Sequence, residues 1–272
     1  MVQLSSFPAR MMNPFPHGFI GLLSLALASS LHAADGLELK LVSDVDTISP
    51  GKSFTVGLNL RHKEGFHTYW KNPGIVGMPT ALSWNLPDGF SAGDIQWPHP
   101  EKTFMSGHPC HGYERDITLL ITITPPEILP EEKIILRASA QWMACAAQCF
   151  PGFGDFQISF PRQSTTDRIL IEKAQSEIPK KDPQLKVSLK SQKDAPIIEL
   201  LIKGNHSEKN LYFFSEDGQI SSDQPQNITR LDEKTMVLKV KRSDFSPQNV
   251  PGLPGVLHLG KRNHFIKPVY SD

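Results

Sequence analysis

IILRASAQWMACAAQCFPGFGDFQISF, residues 134–160, alternates apolar and polar side chains on both sides of a cysteine pair. Ile134, Leu136, Ala138, Ala140 and Trp142 recur with a period of two, and so do Phe156, Ile158 and Phe160. That period marks half-buried strands rather than helices. Between them, Cys145 and Cys149 follow directly on the first strand, Pro151-Gly152 closes the segment, and the next strand is expected to begin at Asp155. Two thiols thus sit at a strand-end turn.

The same period extends towards the N-terminus through Phe54, Val56, Leu58 and Leu60, then Leu82, Trp84 and Leu86, then Ile117, Leu119, Ile121 and Ile123. Ser49-Pro50-Gly51-Lys52, Asn72-Pro73-Gly74, Pro87-Asp88-Gly89 and Pro125-Pro126 supply the turns. A series of about seven or eight strands without amphipathic helices between them predicts an all-β chain with an immunoglobulin-like sandwich over 35–162. From Pro161 to Pro183 the alternation stops, and a linker is expected over 163–183, with a short helix at Asp167–Ala174 capped by Asp167. A second strand series follows: Leu185, Val187, Leu189; Ile198, Leu200, Ile202; Leu211–Phe214; Met236, Leu238, Val240; Val256–Leu259. It predicts a second, smaller β-sandwich over 184–272.

Arg10 precedes the apolar run Phe19–Leu27, which ends in small residues at Ala33-Ala34. A basic start, a short apolar centre and a small-residue cleavage site describe a secretory signal peptide over 1–34. The run is short for a membrane span, and no second run of that length follows, so the mature chain is expected to be soluble, without stable membrane insertion, in the periplasm or an equivalent exported compartment. The 28 basic and 28 acidic residues balance, and they are scattered, which argues against a nucleic-acid surface. Hydrophobic residues make up 39 %, including four Trp and fifteen Phe, enough for ordered cores.

The three cysteines all follow the signal segment, in a compartment where disulfides persist. A bridge between Cys145 and Cys149 would close a loop whose entropic contribution is only about 2 kcal/mol. As a staple it is poor; as a bond made and broken in each cycle it is suitable, because exchange needs one thiolate to attack and a second thiol to resolve the mixed disulfide. No Ser-His-Asp order, phosphate loop or paired-carboxylate motif supports hydrolytic or nucleotide chemistry, and no cofactor is called for.

Five segments resemble, in order, the periplasmic N-terminal domain of the DsbD and ScsB family of thiol:disulfide interchange proteins. They are EGFHTYWKNPG at 64–74, LPDGF at 86–90, IQWPHP at 95–100, GYE at 112–114 and WMACAAQCFPG at 142–152. The part from about 184 onward is similar, more loosely, to the second β domain of ScsB-type members. The resemblance implies a protein-disulfide reductase-type module, in a setting that includes cytochrome c biogenesis. It receives electrons from a thioredoxin-like domain protein and a membrane electron carrier, and passes them to oxidised periplasmic proteins. It implies Cys149 as the residue of the mixed disulfide and Cys145 as its resolving partner. It also implies a cap loop at Glu101–Gly107, with Phe104 as the lid beside Met105 and Gly107 as a flexible end. Tyr69 and His67 fall on the flanking strand, where they would either tune the thiol or simply pack. Two features depart from the family pattern: Cys110, a bystander or competing thiol, and the end of the chain at Asp272 without the membrane carrier and terminal thioredoxin-like domain, which separate partners would supply.

Two other classes stay open. His108, Cys110, His111, Cys145 and Cys149, with Met105 and Met143 nearby, are soft ligands suited to copper or zinc, and ScsB-type relatives are associated with copper tolerance. The other is a non-catalytic β-sandwich scaffold with an incidental disulfide.

Overall fold

The computed structural model describes residues 32–34, 36–204 and 210–270. The signal segment expected over 1–34 lies outside these residues except at β1 (His32–Ala34), which pairs antiparallel with β2 (Leu37–Ser43). The chain continues through β3 (Phe54–His62), β4 (Thr68–Gly74), β5 (Ala81–Asn85), β6 (Ser91–Ala92), β7 (Glu101–Met105), β8 (His108–Tyr113), β9 (Ile117–Thr124), β10 (Ile134–Cys145) and β11 (Cys149–Phe160). They form the sheets β1-β2-β3-β9-β6, β11-β10-β5 and β4-β8-β7. The inward residues of β2, β3 and β9, among them Leu39, Leu58 and Leu119, face Leu136, Trp142 and Ile158 of β10 and β11 in one buried core. This is an all-β sandwich, and the alternating positions read from the sequence are its inner face.

The stretch expected to be a linker with a short helix carries a longer helix, packed onto the sandwich. Helix α1 (Thr165–Glu177) buries Ile171 and Ala174 against Val42 and Leu120, on the outer face of the first sheet. Asp167 is not the N-cap: Ser164 holds that position with extended backbone, and Asp167 lies in the first turn. There its carboxylate pairs with Arg162 at 2.8 Å and Lys40 at 3.4 Å. An acid in the first turn suits the helix dipole, and the two cations that draw Asp167 inward come from outside the helix.

After α1 come β12 (Lys186–Leu189), β13 (Ile197–Lys203), β14 (Tyr212–Ser215), β15 (Asn227–Asp232), β16 (Thr235–Lys241), β17 (Gly255–Leu259) and β18 (Arg262–Ile266). They make a second, smaller sandwich of sheets β12-β13-β16-β15 and β14-β17-β18 around Leu200, Leu238, Phe213 and Leu257. Phe214 and Val256 belong to the first core, so apolar packing is continuous between the two sandwiches.

Candidate redox site

β10 and β11 form one hairpin whose pairing runs from Ile134↔Phe160 to Cys145↔Cys149 without a break. The strand expected from Asp155 therefore starts six residues earlier, at the cysteine itself. Pro151 is tolerated because β11 is the edge of its sheet, where a missing N–H need not cost a ladder bond. Gly152 is required for a different reason: a Cβ there would lie 2.2 Å from the Trp142 ring, which covers that stretch of backbone. At the tip, Cys145 and Cys149 are joined by a disulfide with Cα atoms 4.1 Å apart. Cys145 is fully buried, whereas Cys149 is partly exposed.

β4 approaches from the side. His67 and Cys145 exchange both backbone hydrogen bonds at 2.9 Å, which fixes Tyr69, two residues on and on the same face, over the bridge. The Tyr69 hydroxyl donates to Cys145 Sγ at 3.0 Å and lies 3.9 Å from Cys149 Sγ. His67 Nε2 is 3.3 Å from the same hydroxyl. Since the tyrosine proton points at sulfur, His67 Nε2–H is the donor to the tyrosine oxygen. Burial pushes the Tyr69 pKa up to about 12 and lowers that of His67, so the relay is neutral near pH 7 and acts through hydrogen bonds rather than a formal charge.

β7 and β8 cover the other side. The segment expected to be a flexible cap loop is a hairpin, with Ser106 and Gly107 at φ 51° and 82° in a two-residue turn. Gly107 is there for the left-handed conformation that such turns need. Met105 Sδ sits 3.6 Å from Cys149 Sγ, a contact between sulfurs, while the Phe104 side chain is 62 % exposed. Cys110 is a free, fully buried thiol 3.0 Å from Thr103 Oγ1, and burial raises its pKa. Tyr69, Cys110 and Cys145 form one cluster, with Val76, Met105, Met143 and Cys149 packed against it.

The two histidines of the metal reading do not join this cluster. His108 is exposed beside the turn, and His111 faces the second sandwich, with Nε2 3.1 Å from the Tyr212 hydroxyl. Among the described residues, no group of three or more His, Cys, Asp or Glu is placed to hold a metal ion.

Sequence comparison with protein families matches residues 38–161 to the thiol:disulfide interchange protein DsbD, N-terminal. This segment belongs to that family. The periplasmic N-terminal domain of ScsB from Proteus mirabilis has the same fold across both sandwiches, with a TM-score of 0.70 at 15 % identity over 90 % of this chain and 99 % of that one. A conserved domain protein from Bacillus anthracis aligns over 85 % of this chain and 76 % of that one at 11 % identity, but its TM-score of 0.27 carries no argument. No curated protein matches by sequence. No helix among the described residues is long and apolar enough to cross a membrane.

The family motifs pointed to the cysteines, His67 and Tyr69. What sequence reasoning missed is the role of the second sandwich in covering the back of β4 and β8. Glu216, Ser222 and Tyr212 belong to it, and nothing in their local pattern announces a partner more than a hundred residues away.

Proposed function

We propose that this chain is a periplasmic thiol–disulfide exchange module that passes reducing equivalents from a thioredoxin-like or membrane-borne donor to oxidised exported proteins through Cys149 and Cys145. The observation that carries this reading is the unequal exposure of the two sulfurs, with a hydroxyl on the buried one. A donor thiolate attacks the accessible Cys149 Sγ. The Cys149–Cys145 bond breaks, and Cys145 leaves with the electron pair as a thiolate that receives the Tyr69 hydrogen bond. The donor's second thiol then cleaves the mixed disulfide, freeing Cys149. In the outward half-reaction Cys149 attacks a substrate disulfide, and Cys145 closes back onto Cys149 to release the substrate as a thiol. Each half-cycle moves two electrons and two protons.

Met105 lies over Cys149 in the oxidised form, so a partner must displace it before attack. It therefore shares or takes over the covering role expected of Phe104. His67 acts through Tyr69, and Cys110 stays outside the exchange because its thiol is buried and held neutral.

The test is equilibration of the purified protein with glutathione redox buffers, together with trapping through Cys145→Ser and Cys149→Ser. Reversible reduction and mixed disulfides captured by Cys149 in the Cys145→Ser protein support the proposal. A bridge that resists reduction, or capture by neither variant, would leave the scaffold reading standing.

A further inference from the structure

At Thr68–Trp70 and Cys110–Tyr113, β4 and β8 are buried on both faces, and the two faces serve different neighbours. Tyr69 turns to the disulfide, while Trp70 turns away and meets the Phe214 ring edge-on at 6.2 Å. Cys110 lies in the sulfur cluster, while His111 packs edge-on against Phe214 at 4.9 Å and Tyr212 at 5.8 Å. Alternation along a strand thus places redox chemistry and the interface with the second sandwich one residue apart.

The ladder between β4 and β8 is regular at Thr68↔Tyr113 and Tyr69↔Gly112, breaks, and resumes only at Gly74↔Cys110. The interrupted stretch is held from outside. Lys71 Nζ pairs with Glu216 at 2.5 Å, and Asn72 Nδ2 donates to the Ser215 carbonyl at 2.6 Å. Ser222 Oγ accepts the Ile75 N–H at 3.0 Å and donates to the Pro109 carbonyl at 3.1 Å, so one hydroxyl links the end of β4 to β8. Gly74 has φ 89°, and a Cβ on it would lie 2.1 Å from that hydroxyl. The serine occupies the hollow that the glycine leaves.

We propose that the second sandwich is a working part of the redox site. Ser222 and His111 are positioning residues: by fixing the β4 bulge and the back of β8, they hold the Tyr69 hydroxyl on Cys145. This rests on the thiol-exchange reading above. The His67–Cys145 bridge and the Tyr69↔Gly112 pair anchor β4 up to Tyr69, but from Trp70 to Pro73 the strand has no ladder partner, so its course just past Tyr69 is set by what packs behind it. A hydrogen bond weakens steeply as its geometry slips. Loosening the brace withdraws a donor from the Cys145 thiolate, destabilises the reduced form and makes the disulfide harder to reduce.

The experiment uses the full chain carrying Ser222→Ala or His111→Ala, each alone and combined with Tyr69→Phe, equilibrated against glutathione. With the brace acting through Tyr69, each single variant needs a more reducing buffer for half-reduction, by about threefold or more in the glutathione ratio. In the Tyr69→Phe background the same substitutions add nothing further. A folded Ser222→Ala protein with an unchanged midpoint overturns the inference, as does a shift that adds in full to that of Tyr69→Phe. Ser222→Ala decides alone if His111→Ala fails to fold. Should the wild-type bridge itself resist reduction, the exchange reading falls first, and a reducible wild type with unshifted variants rejects only the brace.

Discussion

Tyr69 places a hydroxyl 3.0 Å from the buried sulfur, and burial keeps that hydroxyl protonated throughout the working pH range. Hydrogen bonds to charged groups contribute about 1.5–3 kcal/mol, so Tyr69→Phe should make the bridge harder to reduce by about tenfold or more. A glutathione titration measures this, and an unmoved midpoint would show that the hydroxyl only packs. The cover over Cys149 is separable in the same way. Met105→Ala should speed reduction by small thiols by about two- to fivefold, the scale of losing one modest contact, whereas Phe104→Ala, at a side chain 62 % exposed, should leave that rate unchanged. The reverse pattern would restore Phe104 as the lid. The sequence does not distinguish these neighbours, because Glu101–Gly107 carries no apolar alternation, and which of two adjacent side chains points inward depends on a strand register that those residues do not encode locally. Cys110 posed the opposite difficulty. Its presence is plain in the sequence, but its inertness depends on burial, which only the folded hairpin supplies and which outweighs the opposing Thr103 hydrogen bond. In the reduced native protein, iodoacetamide should label Cys149 well before Cys110, and equal rates would mean that Cys110 is open to exchange.

At the scale of elements, the β10–β11 hairpin was readable over most of its length because its inner face alternates so regularly. The alternation does not extend over Cys149–Gly154, which contains Pro151 and Gly152, residues that ordinarily end a strand. Their tolerance has tertiary causes: an edge position for one and the Trp142 ring for the other. Gly152→Ala tests this account. The added methyl must displace Trp142 from beneath the hairpin tip, and overpacking of this kind costs about 1–3 kcal/mol. A fall of several degrees in Tm should accompany it, together with a faster, less selective reaction of Cys149 as the tip loosens. An unchanged Tm would mean that the ring is not tightly held there. α1 carries the same lesson. Its apolar face, Ile171 and Ala174, was visible as a short helix, but its extent and docking depend on Val42, Leu120 and the cations that meet Asp167, all outside the segment.

For the whole molecule, two sandwiches were evident from two strand series, but their union was not. The aromatic part of the contact between them joins Trp70, His111, Tyr212 and Phe214, which come from three strands far apart in the chain, so no local pattern pairs them. His111 gives this contact a pH dependence. Its ring is 3 % exposed, and burial is the main cause that lowers its pKa to about 4, with the Asn72 backbone opposing and Lys102 reinforcing the shift. In the unfolded chain the same group titrates near 6.5. The folded state therefore binds fewer protons between these values, and stability rises with pH across that window. It is fully present above about pH 6.5, declines as pH falls towards 4, and levels off below. One such group accounts for at most about 3 kcal/mol. His62, lowered to about 4 by burial against the pull of Asp116, adds to the loss in the same direction, by less because its side chain is not fully enclosed. His111→Phe preserves an aromatic ring in the nest while removing the titration. Thermal melts at pH 7.5 and 4.5 should show a smaller acid-induced drop in Tm for this variant than for wild type. Identical drops would mean that acid sensitivity arises elsewhere. Because the folded protein keeps His111 neutral down to about pH 4, the wild-type glutathione midpoint, after correction for the protons taken up on reduction, should stay level between pH 7.5 and 4.5 while the melt falls, and a midpoint that moved with the melt would mean that the ring takes up its proton in the folded state.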